Sequence, residues 1–327
     1  MTLLRDLRRF GARLWVPVAL ATALLVGCGG GTSQVETFKP NRLIVFGDED
    51  SLLVDDGQAN AFKYSLNGID STDSLRKCLL LPIWTQSMAN QYGFVFAECN
   101  PNTATPRAFM RARQGATVDD PTLGLAQQIA DQPGLGHGDL VTVLIGVNDV
   151  FELFGAVQAG TMTAADALAA ARLRGQHAAD QVNAILTTGA RAIVATTPDV
   201  SLTPEVRAAD QLNPGAATLM SQLVYQFNSL LRTSIDSTRF DGRNYGLVLA
   251  DDMVQVMVKA PGAFGLANVV DAVCLAPSAR DCTSAVADVV TGGTPVSHLW
   301  ADGRHLSTPG HSRLASLALA RAIGNPF

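Results

Sequence analysis

From Arg42 onward, short runs of branched apolar residues alternate with longer stretches whose apolar positions recur at helical spacing. A run that is apolar at every position suits a strand covered on both faces, and alternation with helices makes the sheet parallel. The runs predict strands at Leu43 to Phe46, Phe94 to Ala97, Leu140 to Ile145, Ala192 to Thr196 and Tyr245 to Leu249. Helical spacing marks Ile83 to Tyr92, Leu123 to Ala130, Ala164 to Thr188 and Ala216 to Ile235. In the third of these, Ala178, Val182, Ile185, Leu186 and Gly189 fall on one face. A last helix has a start and a stop: Thr308 to cap it, Pro309 at its first position, and Gly324 with Pro326 to end it. In an open α/β sheet the reactive groups sit beyond the carboxyl ends of the strands, so chemistry is expected just after each run.

With 327 residues, 47% of them hydrophobic and 16% charged, the chain is long enough to bury a large core, and one catalytic domain is expected over residues 41–327. The net charge of −5 and the absence of a basic run beyond the N-terminal region set nucleic-acid binding aside. There is no internal repeat. Ala260 to Pro295 is the one long stretch without clear periodicity, and its Cys274 and Cys282 suggest a stapled excursion.

The first residues read as an address. Arg5, Arg8, Arg9 and Arg13 make a positive region, and Leu14 to Val26 is an apolar run too short to span a bilayer comfortably. The run ends in Leu25-Val26-Gly27-Cys28, which resembles a bacterial lipoprotein signal. The resemblance implies a signal over residues 1–27, lipidation of Cys28 and a tether over residues 28–40. An ordinary secretory signal that contains a cysteine is the alternative. Gly29 is not an inner-membrane retention aspartate, so an outer-membrane lipoprotein is expected. Cys78, Cys99, Cys274 and Cys282 remain, an even number in a compartment that permits disulfides. Sequence order favours Cys78 with Cys99 and Cys274 with Cys282, each closing a local loop. Free buried thiols are the other possibility.

Four segments carry chemistry: Phe46-Gly47-Asp48-Glu49-Asp50-Ser51, Arg113-Gln114-Gly115-Ala116, Gly146-Val147-Asn148-Asp149 and Asp302-Gly303-Arg304-His305. In the last, an aspartate three residues before a histidine can accept a hydrogen bond from one ring nitrogen and leave the other to deprotonate a hydroxyl. Asn148, after an apolar strand, can donate its amide to a developing oxyanion, and Gly115 can offer a backbone N–H to which a substrate approaches closely. Read apart, each has a plain structural use: a solvated surface turn, an asparagine bonding its own backbone, a loop glycine. Taken together and in this order, the segments resemble the SGNH or GDSL family of esterases and lipases. The resemblance implies a flavodoxin-like α/β/α sandwich with a central, mostly parallel sheet. It also implies an acyl-serine mechanism with His305 as base, Asp302 as its orienter, and Asn148 and Gly115 as oxyanion donors. His311 and Asp149 are expected to pack or fix their turns, and Gln114 stands where many relatives have a further glycine.

One departure matters. The family's serine directly follows Gly-Asp, and here Glu49 does; Ser51 comes two residues later. Either the turn is longer and delivers Ser51 to His305, or Ser51 caps a helix and Glu49 fills the old site, leaving an inactive envelope binding module. The first reading is carried forward, with Ser51, Asp302 and His305 as the catalytic set. Three carboxylates before Ser51 are expected to raise the pKa of a nearby histidine, so activity should rise above neutral pH. A metal site built on His298, Asp302 and His305 lacks the usual zinc-helix spacing. The expectation is thus a monomer that needs no metal or organic cofactor, acts on a small-molecule or lipid ester, and touches the membrane through its anchor.

Overall fold

The computed structural model describes residues 38–324. The signal, Cys28, most of the tether and Pro326 lie outside the described residues. Among the described residues nine strands follow in chain order: β1 (Arg42–Gly47), β2 (Leu53–Val54), β3 (Phe62–Lys63), β4 (Ala108–Met110), β5 (Asp139–Leu144), β6 (Arg191–Ala195), β7 (Tyr245–Val248), β8 (Asn268–Ala272) and β9 (His298–Trp300). Five of them form the central sheet in the order β4-β1-β5-β6-β7. Every pairing in it is parallel. β2 and β3 make a short antiparallel pair beside it, and β8 pairs with β9.

The apolar runs explain the layering. In β1, Leu43 and Val45 point into one core with Trp84, Met88, Val254 and Leu314. Ile44 and Phe46 point into the other with Val150, Val182, Leu223 and Phe227. Helices Trp84–Gln91, Ala250–Lys259 and Thr308–Ala322 therefore cover one face, and Val147–Gln158, Ala164–Thr187 and Ala216–Ser234 the other. This is the α/β/α sandwich expected. The stripe Ala178, Val182, Ile185 and Leu186 is buried, while Gly189 falls just past the end of its helix.

Several expectations need correction. Phe94 to Ala97 is not a sheet strand: Phe96 makes isolated bridges to Cys99 and Ala108, and the edge strand is Ala108–Met110. Phe94 and Phe96 are apolar because they fill the core under the edge, whereas three residues of β4 are too few for a pattern to register. Thr308 does not cap the last helix but opens it; the N-cap position is Ser307, whose hydroxyl turns away to the carbonyl of His298. Helices Val147–Gln158, Pro204–Leu212 and Ala250–Lys259 were not foreseen. The aperiodic stretch after Ala260 holds β8 and short 3-10 turns, stapled by Cys274–Cys282; Cys78–Cys99 is the second bridge.

Lys63 is fully buried in β3. Its Nζ donates to the carbonyls of Cys78 (3.3 Å), Leu80 (2.6 Å) and Leu81 (2.9 Å). Burial, with the charge of Arg76, pushes the amine down to about 7, but three acceptors call for three N–H donors, which only the ammonium form has. The Cys78 carbonyl also accepts from the Gln86 amide at 3.0 Å, so Lys63→Met is expected to strand the Leu80 and Leu81 carbonyls at about 1–3 kcal/mol each. The unfolding free energy from urea titration should drop by at least one such increment; an unchanged midpoint would show that the carbonyls find other donors.

Candidate active site

The site forms at the carboxyl ends of β1 and β5. After Gly47, Asp48 caps a single 3-10 turn, Glu49–Ser51, by accepting from the Asp50 N–H at 3.2 Å. The turn is pinned from behind, where the Trp84 indole donates to the Asp50 carbonyl and the Thr85 hydroxyl to that of Ser51, both at 3.1 Å. This coil decides which side chain faces the site. Ser51 is fully buried, and its Oγ makes no hydrogen bond among the described residues. The longer turn expected to deliver Ser51 to His305 is therefore not formed. Position 49 is presented instead.

Glu49 points at the two donors expected to hold an oxyanion. Its Oε1 accepts from the Gly115 N–H at 2.6 Å and its Oε2 from the Asn148 Nδ2 at 2.7 Å. Gly115 lies in a left-handed turn (φ +74°), and Asn148 in the first turn of the helix Val147–Gln158. Both donors lie in segments with anchors besides Glu49. The Asn148 amide is also anchored on the Ala116 carbonyl at 3.1 Å, and the Val118 N–H binds both oxygens of Asp149 at 3.1 and 3.2 Å. Burial pushes the Asp149 carboxyl up to about 7, against the charge of Arg174 and the Val118 bond.

Asp302 and His305 follow β9 in a tight turn. The His305 Nδ1 lies 2.9 Å from both Asp302 oxygens. The carboxylate also accepts from the backbone N–H of Arg304 and His305, each at 2.9 Å, and from that of Ala279 at 2.7 Å. Burial alone would push Asp302 up, yet the His305 bond and charge, aided by the N–H groups of Arg304 and Ala279, hold it down at about 2. For His305, burial lowers the pKa, but the bond and charge of Asp302, with the charges of Asp50 and Glu49, leave it raised above 6.5. With Nδ1 taken by Asp302, Nε2 is the nitrogen left for proton transfer. Tyr64 packs on the ring, centroids 5.1 Å apart.

Sequence reasoning gave no part to Ala279 or Arg304, and it did not show that Asp50, one of the three carboxylates expected to raise a histidine pKa, acts from a buried place. Asp50 is buried, and burial pushes its carboxyl up to about 6, against the charge of His305. Ala279, in the loop closed by Cys274–Cys282, reaches Asp302 through its backbone, which no side-chain pattern reveals. Arg304 forks onto Glu205 at 2.5 and 2.6 Å and lies over Phe151, bracing the turn that carries His305. His298, once weighed as a metal ligand, pairs its Nδ1 with the Ser297 hydroxyl at 2.8 Å. Among the described residues no group of three or more His, Cys, Asp or Glu side chains is arranged to hold a metal ion. His311 is buried, and burial, then the charges of Lys63 and His305, keep its pKa down at about 3.

The sequence profile of the GDSL-like Lipase/Acylhydrolase family matches residues 61–318. The chain belongs to the GDSL-like lipase/acylhydrolase family. The match takes in Gly115, Asn148, Asp302 and His305 and starts after the Glu49–Ser51 turn. Among solved structures it is similar to phospholipase A1 from Streptomyces albidoflavus NA297, at 14% identity and a TM-score of 0.42, covering 86% of this chain and 98% of that one. It is also similar to a catalytic mutant of an acetylxylan esterase from Geobacillus stearothermophilus, at 16% identity and a TM-score of 0.40, covering 88% and 97%. No curated protein matches the GDSL-like chain in sequence.

Proposed function

We propose that the protein is a carboxylic-ester hydrolase in which His305 is the general base and Asp302 orients it. The observation that carries this is the convergence of the Gly115 N–H and the Asn148 amide on one carboxylate, in the site that also holds the Asp302–His305 pair. Donors that hold a carboxylate oxygen are suited to the oxyanion of ester cleavage, which carries the same charge on the same kind of atom. With Ser51 buried in its turn, the attacking group is water. His305 Nε2 takes the proton as the water oxygen bonds to the acyl carbon. The tetrahedral oxyanion rests on Gly115 and Asn148, and its collapse expels the alcohol, which receives the proton from His305. Ester and water give acid and alcohol with no acyl-enzyme.

Hydrolysis of p-nitrophenyl butyrate, measured for the wild type and Ser51→Ala, tests this reading. Turnover in both, with no labelling by a serine-directed phosphonate, supports direct attack by water. Turnover lost in a folded Ser51→Ala, with labelling of the wild type, restores the acyl-serine route and requires the 3-10 turn to open. A second reading, a non-catalytic binding module, is favoured by the Glu49 carboxylate filling the donor pair. Failure to cleave any of a panel of acetyl, butyryl and long-chain esters would select it.

The pH profile follows from His305, which is faced by Asp302, Asp50, Glu49 and His311. A base works only when unprotonated, and this one has its pKa raised above 6.5. We expect kcat/KM to climb with pH along a limb whose midpoint lies above that value. A plateau already reached at mildly acidic pH would rule out His305 as the titrating base.

The address is proposed on sequence grounds: Cys28 carries a lipid anchor that places the domain at the outer membrane, where small or lipid esters are its substrates. Radiolabelled palmitate should enter the wild type and not Cys28→Ser. Equal labelling of the two would end the proposal.

A further inference from the structure

The structure assigns Glu49 the part of a built-in, displaceable occupant of the acyl-oxygen site: its carboxylate sits on the Gly115 and Asn148 donors as a product acid would, and a ligand must replace it there. Its effect on turnover rests on the hydrolase reading above, while its effect on ligand binding does not.

Four observations support it. First, both carboxylate oxygens are engaged at 2.6 and 2.7 Å, the range of charge-assisted hydrogen bonds, and each by one of the two donors. Second, the donors are held by the Ala116 carbonyl and the Asp149 carboxylate, so removing Glu49 leaves the pair aimed at the same point. Third, the Asn148 amide has two N–H bonds; one is spent on Ala116, and the other has Glu49 as its partner. An emptied site therefore presents two N–H groups without acceptors. Fourth, Glu49 is only partly buried, unlike Asp48, Asp50 and Ser51 beside it, so its carboxylate can turn outward into water when a ligand arrives.

The chemical class of ligand follows. A neutral ester carbonyl competes poorly with a tethered carboxylate for two N–H donors, whereas a free carboxylate matches both donors and meets no competitor once Glu49 is gone. Short carboxylates are the ligands that an emptied site should take.

The test compares wild type with Glu49→Ala and Glu49→Gln, the second keeping the length while its amide nitrogen cannot accept a hydrogen bond. Sodium butyrate is titrated and followed by NMR of the Gly115 amide and the Asn148 side chain. We expect saturable binding to Glu49→Ala, at least tenfold weaker binding to the wild type, and loss of binding when Asn148→Ala is added to Glu49→Ala. Hydrolysis of p-nitrophenyl butyrate is expected to rise at least tenfold in kcat/KM for Glu49→Ala, mainly through KM. Butyrate binding without hydrolysis would support the occupant and defeat the hydrolase reading. Absence of butyrate binding by folded Glu49→Ala and Glu49→Gln would overturn the inference. So would loss in Glu49→Ala of an activity the wild type has, since Glu49 would then take part in the chemistry.

Discussion

Replacing His305 with alanine is expected to lower kcat/KM on an aryl ester by about 10²–10⁴-fold, the usual reach of a positioned general base. The reason is local. His305 is the group in the site whose ring has one nitrogen fixed by a carboxylate and the other left for a proton. Its side chain is 15% exposed and its main bond is to Asp302, so the variant should fold. Asp302→Asn should lose activity on a similar scale for a different reason, because an amide can turn its N–H toward Nδ1 and favour the wrong tautomer. It should also lose stability. Asp302 receives backbone N–H groups from Ala279, Arg304 and His305 as well as the ring, and asparagine has one acceptor oxygen in place of two. Circular dichroism alongside the kinetics separates the two effects. Retention of activity within threefold by a folded His305→Ala would remove histidine from the mechanism.

Gly47→Ala carries the largest expected loss of stability. Gly47 has φ +142°, and a Cβ there would lie 1.9 Å from the Leu144 carbonyl oxygen, at the end of the central β1–β5 pairing. The contact is with backbone, so no side chain can swing aside. Gly47 is also clasped by the buried Gln128, which accepts its N–H and donates to its carbonyl, both at 2.8 Å. Alanine must part the two strands or break that clasp, a change expected to exceed about 4 kcal/mol. Gln128→Ala is the milder probe: it bares the Gly47 N–H and the Leu123 carbonyl at about 1–3 kcal/mol each, while the Gly47 carbonyl keeps the Arg113 N–H and the strands stay in place. Urea midpoints should fall in that order, and a Gly47→Ala protein as stable as wild type would mean the strand ends have room to part.

The central strands were legible because their burial is written at every position: Leu43, Ile44, Val45 and Phe46 serve two cores in turn. Asn148, Gly115, Asp302 and His305 were legible because each keeps its place relative to a strand end or a turn. The first-strand turn was not. Whether Asp48 to Ser51 runs long or coils into a 3-10 turn is decided by Trp84 and Thr85, 34 residues away, and no local spacing encodes their reach. Asp50 was expected to act on a nearby histidine through its charge, and it does; its burial under that coil is the part no local pattern marked. Ala279 illustrates a different blindness, since a backbone N–H carries no sequence mark.

The two bonds of Glu49 tie the end of β1 to residues 66 and 99 positions further along the chain. Places where chemistry happens are commonly weak places in a fold, because they hold polar groups apart in readiness rather than letting them pair. Glu49 reverses that bargain at this one spot: it lets the groups pair, and the fold gains a clasp across three distant stretches of chain. Sequences that drift between glutamate and a smaller residue at this position would then be trading thermal endurance against turnover, with a single side chain setting the exchange.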